Sequence, residues 1–237
     1  MKKFFYLPIL VLSISIIVSC KSKTPQAAND TATTDSPSVA VCIWDKISLK
    51  ESPSDKGKWL ASLSLGEKCT YLDDSKEDNS GKKPVTYYKV KLQDNQEGWV
   101  QSDFVILKSK PATIIKEAEI YSRPDLLTKS NKTFSMMDIV AVKSEQGDFI
   151  EIVGKRKAGK WIESGWVKSS TVSYADVDIA VAKYGGKALE IPDRQKRNSA
   201  LNEIINNQDF KSSVFINTLF KMVDDSISSP EPAKVED

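Results

Sequence analysis

The chain has 237 residues, with 34 Lys and Arg against 32 Asp and Glu, so its formal net charge at pH 7 is +2. This near balance argues against a nucleic-acid-binding protein, because such proteins usually carry a clear basic excess. The chain also contains no histidine. That absence excludes Ser-His-Asp and Cys-His catalysis, the HExxH zinc motif and every imidazole metal ligand.

The N-terminus has the pattern of an export signal. A basic start, Lys2-Lys3, precedes an apolar run over residues 4–18. The run is shorter than the roughly 20 apolar residues of a membrane-spanning helix, so an export signal is the better interpretation. It ends in Ile17-Val18-Ser19-Cys20, which resembles a bacterial lipobox. The resemblance implies that residues 1–19 are a lipoprotein signal peptide and that Cys20 is lipidated.

Residues 20–39 are rich in Ser, Thr, Ala, Asp and Pro. Such a composition buries little apolar surface, so we expect a disordered tether that follows the lipid anchor. The alternative is an ordinary signal peptide with a cysteine near its end by chance. With the anchor, the chain would be exported to the cell envelope of a bacterium and held on a membrane, with the outer membrane favoured.

Two further cysteines, Cys42 and Cys69, lie in apolar strand patterns. An exported protein meets an oxidising environment, so a disulfide between them is possible. The alternative is that both serve as small buried apolar side chains.

One motif occurs twice, as Gly98-Trp99-Val100 and as Gly165-Trp166-Val167. Gly permits a tight turn, and Trp and Val suit a half-buried strand, so each copy predicts a turn into a strand with a core tryptophan. Each copy closes a β-rich segment, and this spacing indicates an internal repeat. We therefore predict a mainly β protein with two units, residues 40–108 and residues 112–172.

Alternating apolar and polar residues predict short strands in the first unit. Residues 73–84 are a polar run, which predicts a long surface loop. In the strand that follows, Tyr88 and Val90 share one face, so Tyr87 is expected on the other face, pointing outward.

The first unit resembles a bacterial SH3 (SH3b) domain. The resemblance departs at Lys50 and Glu51, where the family often has Val-Arg. It implies a small β-barrel of about five short strands, and the second unit matches more loosely, with Met137 in place of Gly66. The expected fold is two tandem SH3-like small β-barrels followed by a short α-helical segment. The residues of the first unit that carry the resemblance are Leu49, Pro53, Leu63, Leu65, Gly66-Glu67, Tyr88, Val90 and Gly98-Trp99-Val100.

The pattern changes to helical spacing over residues 175–227. Apolar stripes predict three short helices, the first broken at Gly185-Gly186, the second with Pro192 in its first turn and the third capped by Asp209. Isolated helices of this length are marginal in water, so they must pack on each other or on the second barrel. Residues 228–237 are predicted to be a disordered tail.

The candidate ligand contacts are one outward-facing aromatic residue and a basic hairpin over residues 154–164. A basic hairpin could bind an acidic polymer or lipid headgroups, although such a run can also be only solvated. Trp44 and Trp161 are further aromatic candidates. The residues predicted to contact a ligand are Tyr87, Lys155, Arg156 and Lys157.

Three classes of function compete. The SH3b resemblance implies a module that binds cell-wall peptide, cell-wall glycan or another envelope component. The alternative is a scaffold or assembly lipoprotein that contacts another envelope protein through its barrels and its C-terminal helices. We predict that the protein is not an enzyme, because the chain lacks histidine and shows neither a nucleophile–base pair nor paired carboxylates. No cofactor, no metal site and no nucleic-acid partner are predicted.

Overall fold

The computed structural model describes residues 38–228, with side chains described up to residue 225. The fold is mainly β with a helical C-terminal region, which confirms the coarse prediction. The first sheet has seven antiparallel strands in the order β3-β2-β6-β5-β4-β1-β7, and these are β1 (Ser38–Cys42), β2 (Ile47–Lys50), β3 (Trp59–Leu63), β4 (Lys68–Asp78), β5 (Val85–Lys91), β6 (Glu97–Gln101) and β7 (Val105–Leu107).

The second sheet also has seven antiparallel strands, in the order β10-β9-β13-β12-β11-β8-β14. Numbered from the start of each sheet, the two orders are identical, so one connectivity occurs twice in the chain. The strands are β8 (Lys110–Ile114), β9 (Ala118–Tyr121), β10 (Lys129–Phe134), β11 (Ile139–Gln146), β12 (Phe149–Lys155), β13 (Ile162–Lys168) and β14 (Val172–Ser173).

The repetition extends to a single turn and its hydrogen bonds. In the first sheet, the backbone N–H of Ser64 donates to the Glu67 carboxylate at 2.8 Å, and in the second the N–H of Ser135 donates to the Asp138 carboxylate at 2.8 Å. The residue before each acid has a positive φ, 79° at Gly66 and 70° at Met137. Methionine adopts this conformation at a cost that glycine avoids, and the buried packing of Met137 described below offsets that cost.

The glycines of the repeated motif have a different role from the predicted one. Gly98 and Gly165 lie within strands β6 and β13, and neither has a positive φ. A Cβ atom at Gly98 would lie 2.7 Å from Leu49 Cγ, and one at Gly165 would lie 2.4 Å from Ile120 Cγ2. Glycine is therefore required because β2 and β9 approach the backbone closely, and the predicted turn is wrong.

The first half of the predicted loop over residues 73–84 is strand, and residues 79–84 form the connection to β5. β4 continues to Asp78, and residues 75–78 pair with Tyr88, Tyr87, Thr86 and Val85. The register shifts between Tyr71 and Ser75, which marks a bulge, and Asp73 there has a φ of 57°. Polar side chains are tolerated because the paired backbone is satisfied while most of the side chains after the bulge remain exposed.

Three α-helices follow the sheets: α1 (Asp176–Leu189), α2 (Arg194–Asn206) and α3 (Ile216–Ser228). α1 continues through Gly185-Gly186, so the predicted break is wrong. A Cβ at Gly185 would lie 3.5 Å from the sulfur of Met137 and 3.6 Å from Leu219 Cδ1, so this glycine allows close packing. Asp193 caps α2, with Pro192 outside the helix. Asp209 caps no helix, because it lies in a short 3-10 turn capped by Asn207.

The helices and the two sheets pack against each other. One apolar cluster joins Leu201, Phe215 and Leu219 of the helical region to Met137 and Ile139 of the second sheet, with Leu65 of the first sheet at its edge. A second cluster joins the sheets directly and contains Val41, Ile43, Ala141 and Val153. Each sheet also has its own core. The expectation that the helices require partners is met by these contacts.

The signal peptide over residues 1–19, the lipidation site Cys20 and the tail after residue 228 lie outside the described residues, as does the tether up to residue 37. Ser38 and Val39, assigned to the tether from the sequence, belong to β1. Within the described part of the chain, no helix is both long enough and apolar enough to cross a membrane.

Candidate functional site

A cleft of about 280 Å³ lies where the two sheets meet helix α1. Each of the three parts provides one wall, so no part forms the cleft alone. The first sheet contributes the segment from Ile43 to Asp45 together with Leu65. The second contributes the turn from Met136 to Ile139 and the segment Lys155-Arg156-Lys157. The last two turns of α1 provide the third wall, from Ala182 to Glu190.

The predicted basic hairpin forms one side of this cleft, and its three basic residues differ in their partners. Lys155 ends β12 and places its Nζ 4.5 Å from the ring centroid of Trp44, a cation–π contact. Arg156 donates through Nε and Nη2 to Glu163 Oε1 at 3.0 and 2.7 Å. Lys157 uses its backbone N–H, which donates to Asp138 Oδ1 at 3.1 Å.

Helix α1 supplies two more lysines to the cleft. Lys187 Nζ lies 3.0 Å from Asp45 Oδ2 in a salt bridge that joins the helix to the first sheet. Burial raises the pKa of the Asp45 carboxyl, but the hydrogen bonds from Lys187 and the Leu65 N–H, with the nearby charge of Lys183, bring its pKa below the usual value. Asp45 is therefore held as a carboxylate at neutral pH.

Asp138 is a buried acid at the back of the cleft. Burial raises the pKa of its carboxyl above the usual value, and the hydrogen bonds from the N–H groups of Ser135 and Lys157 oppose that shift. Its carboxylate accepts N–H groups from the turn before β11 and from the hairpin after β12, so it holds these two cleft segments together. The carboxyl is a structural acceptor of N–H groups.

Apolar side chains complete the lining between the charged groups. Met136 and Leu65 are half-buried there, and Leu189 covers the end of α1. A cleft that combines apolar lining with a few placed charges is the usual form of a small-ligand site. The arrangement can bind a small molecule that has both an apolar part and a charge.

Tyr87 lies outside the cleft, and the expectation that its side chain is exposed is wrong. Its side chain is only 1% exposed. It does lie opposite the core face of β5, as predicted, and it lines a pocket of about 210 Å³ together with Ile47 and Phe104. Gln101 Nε2 donates to the Tyr87 hydroxyl at 3.4 Å. Strand alternation does not reveal that another segment covers the outer face.

Cys42 and Cys69 are free buried thiols, so the possible disulfide is not formed in this structure. Cys69 stands opposite Ala40 in the β1–β4 register, which makes Cys42 only a diagonal neighbour. Diagonal positions are about 7–8 Å apart, which exceeds the usual Cα separation of a disulfide. Burial raises the pKa of Cys42 to about 11 and that of Cys69 to about 12, so both remain protonated at neutral pH.

The remaining tryptophans lie outside the cleft. Trp59 is 60% exposed and Trp161 is 77% exposed. Trp99 is buried as predicted, but it lies on the opposite face of β6 from the core residue Val100, beneath Lys76. Trp166 is only half-buried, so its predicted place in the core is wrong.

Sequence analysis did not identify Asp45, Lys183 and Lys187 as site residues. Lys183 and Lys187 are four apart, so they share one face of a helix, and that spacing was the available signal. Their position beside Lys155 and Asp45 depends on how α1 docks, which no local pattern records. Among the described residues, no group of three or more His, Cys, Asp or Glu side chains could hold a metal ion.

Comparisons with known proteins give little similarity. No protein-family model matches the chain, and no curated protein matches it. Matching solved structures include NlpC2 from Trichomonas vaginalis, with a TM-score of 0.25 and 11% identity over 71% of this chain and 56% of that chain. NlpC1 from the same organism has a TM-score of 0.25 and 13% identity over 67% of this chain and 55% of that chain. The chain thus spans just over half the length of these structures.

The comparison corrects one prediction. The chain was predicted not to be an enzyme, and the matches to the NlpC2 and NlpC1 structures contradict this prediction. The exclusion of an enzyme is therefore withdrawn. With both TM-scores at 0.25, the likeness carries no argument about the fold, the activity or the catalytic residues of this chain.

Proposed function

We propose that the protein is a membrane-anchored lipoprotein of the bacterial cell envelope that binds a cell-wall peptide or glycan, or another envelope component, in the cleft between its sheets and α1. The observation that carries the proposal is the cleft itself, which combines apolar lining with five basic and three acidic side chains. The basic hairpin chosen from the sequence forms one of its walls.

The finer description of the fold belongs to the same proposal. Each sheet would be an SH3-like small barrel of the SH3b type. The support is the identical strand order and the matching turns at Gly66 and Met137, together with the SH3b-like residues of the first unit. In this description the ligand binds between two barrels and a helix, so the tandem arrangement itself creates the site.

The membrane anchor rests on the lipobox that ends at Cys20. The tether predicted over residues 20–39 would, as a flexible chain, have a root-mean-square span of about 25 Å. That length would keep the folded part near the membrane and raise the local concentration of any component held there. A weak contact in the cleft is then sufficient for function.

The second candidate function is a scaffold that contacts another envelope protein. It is favoured by exposed apolar side chains on or beside the helices, where Tyr184 is 51%, Val214 is 56% and Phe220 is 59% exposed. Aromatic residues are enriched in protein interfaces. This surface differs from the cleft, so variants can separate the two functions.

The proposal is tested by incubating the full-length protein, purified in detergent, with insoluble cell-wall fragments and measuring the protein that sediments. We expect wild-type protein to sediment and the variant Lys155→Glu with Lys157→Glu to remain largely in solution, because the cleft loses two positive charges and gains two negative ones. The matched control is Lys58→Glu with Lys82→Glu, two exposed lysines outside the cleft.

Equal sedimentation of the cleft variant and wild type would contradict the proposal. If wild type fails to sediment but captures an envelope protein, and Phe220→Ser loses that capture, the scaffold function is supported instead.

A further inference from the structure

The charges that line the cleft are not matched one to one. Asp45 is already paired with Lys187, and the Asp138 carboxylate already accepts backbone N–H groups. Arg156 is already held by Glu163. Within the described part of the chain, Lys155, Lys157 and Lys183 have no carboxylate oxygen within 4.0 Å of Nζ. Three lysines therefore line the cleft without a carboxylate at salt-bridge distance.

These lysines are held at the cleft by rigid parts of the fold. Lys155 is fixed against the Trp44 ring. Lys157 has its backbone bonded to the buried Asp138. Lys183 is half-buried on α1, and the two residues before it, Val181 and Ala182, are buried in the apolar cluster. Lys155 and Lys157 are exposed, so of the three ammonium groups that of Lys155, held against the Trp44 ring, is the preorganised one, and such a cation loses little freedom when an anion binds.

The cleft favours a singly charged carboxylate over a phosphate. The fork-shaped guanidinium of Arg156, the group best suited to phosphate, is already engaged by Glu163. The part of α1 that lines the cleft is its C-terminal end with Glu190, and negative charge there disfavours a doubly charged phosphate more than a singly charged carboxylate. Lysines remain as point charges that a carboxylate can neutralise.

The size and the apolar lining define the rest of the ligand. The cleft volume of about 280 Å³ lies just below the range for small-molecule sites, which runs from roughly 300 Å³ upward, so the ligand is small. Leu65, Met136 and Leu189 provide apolar contacts beside the lysines. A short peptide with small apolar side chains matches both the volume and the lining.

We propose that the cleft binds the carboxyl end of a short peptide, with the carboxylate against Lys155, Lys157 and Lys183 and the apolar side chains on Leu65, Met136 and Leu189. This inference rests on the proposed function and deepens it by naming the part of an envelope component that is recognised.

The experiment titrates the full-length protein in detergent with acetyl-Ala-Ala as the free acid and, separately, as the carboxamide, and follows both by NMR. The two probes differ only in the negative charge. We expect the acid to bind about tenfold more tightly than the amide, a difference of about 1.4 kcal/mol, because only the acid carries a negative charge that can pair with the lysines. The variant Lys157→Gln with Lys183→Gln should lose this preference, and Lys116→Gln, an exposed lysine outside the cleft, should keep it.

Equal binding of acid and amide to wild type would overturn the inference, as would an undiminished preference in the double variant. Tighter binding of inorganic phosphate than of the peptide acid would also overturn it, because the site would then be a phosphate site. If wall fragments bind at the cleft while the peptide acid does not, only this inference fails. If neither binds, the proposed function fails with it.

Discussion

Replacement of Phe215 by alanine is expected to destabilise the protein by about 3–5 kcal/mol. The Phe215 side chain is 1% exposed and lies in the cluster that joins the helices to Met137 and Ile139 of the second sheet. Its removal leaves a cavity that the packed helices cannot easily close. Because domains are stable by only about 5–15 kcal/mol, a large part of the total is lost.

The measurement is equilibrium unfolding in urea, followed by circular dichroism at the helical band and by tryptophan fluorescence. All five tryptophans precede the helices, so the two signals report different parts of the chain. Phe220→Ala is the matched control, because Phe220 lies on α3 and is 59% exposed. We expect the control to change the stability by less than about 0.5 kcal/mol. A Phe215→Ala protein as stable as this control would contradict the packing described here.

Phe134→Ala is the second change expected to have a large effect, again about 3–5 kcal/mol. Phe134 ends β10, is 0% exposed and packs in the core of the second sheet with Ile120, Ile152 and Val167. The second sheet contacts the helices through Met137 and Ile139, and it also carries the cleft segment Lys155-Arg156-Lys157. Loss of this core should therefore lower the unfolding midpoint of the tryptophan signal and of the helical signal together.

The control for Phe134 is Leu127→Ala, because Leu127 is in the second sheet's β9–β10 connection and is 93% exposed. We expect it to leave both midpoints unchanged within about 0.5 kcal/mol. If Phe134→Ala shifts only one of the two signals, the second sheet and the helices unfold independently, and the coupling through Met137 and Ile139 would be refuted.

Local patterns in the sequence were sufficient for the class of fold. Alternation located most strands, and the apolar stripes located the buried faces of α2 and α3, where Leu201, Ile204, Leu219 and Val223 are buried as the spacing indicated. The stripe of α1 was less accurate, because its Tyr184 is 51% exposed. These features depend on residues two to four apart, which a sequence displays directly. The repeated Gly-Trp-Val marked equivalent strands, although the reason for the glycine is a close approach of strands and not a turn.

The site could be predicted only in part, because it depends on packing between distant segments. Lys155, Arg156 and Lys157 were identified from their charge, whereas Tyr87 was expected at the surface and is buried. Asp45 and Lys187 are far apart in the chain, and their salt bridge forms only after α1 docks.

Met137 shows the same limit at one residue. In the sequence it is a poor match for the turn glycine of the first unit. In the structure its side chain fills the contact with α1 at Gly185. The departure from the repeat therefore adds an apolar contact between the second sheet and α1, the helix that forms the third wall of the cleft.

The most direct test of the central claim, ligand binding in the cleft, is an NMR titration of the indole N–H signals with soluble cell-wall fragments. The chain has five tryptophans, and among them Trp44 lines the cleft while Trp59 and Trp161 are exposed elsewhere. We predict that the Trp44 signal shifts, because a ligand at Lys155 alters its contact with the ring, and that the Trp59 and Trp161 signals stay in place. A shift of Trp59 or Trp161 with Trp44 unchanged, or no shift in any of the five, would contradict the account.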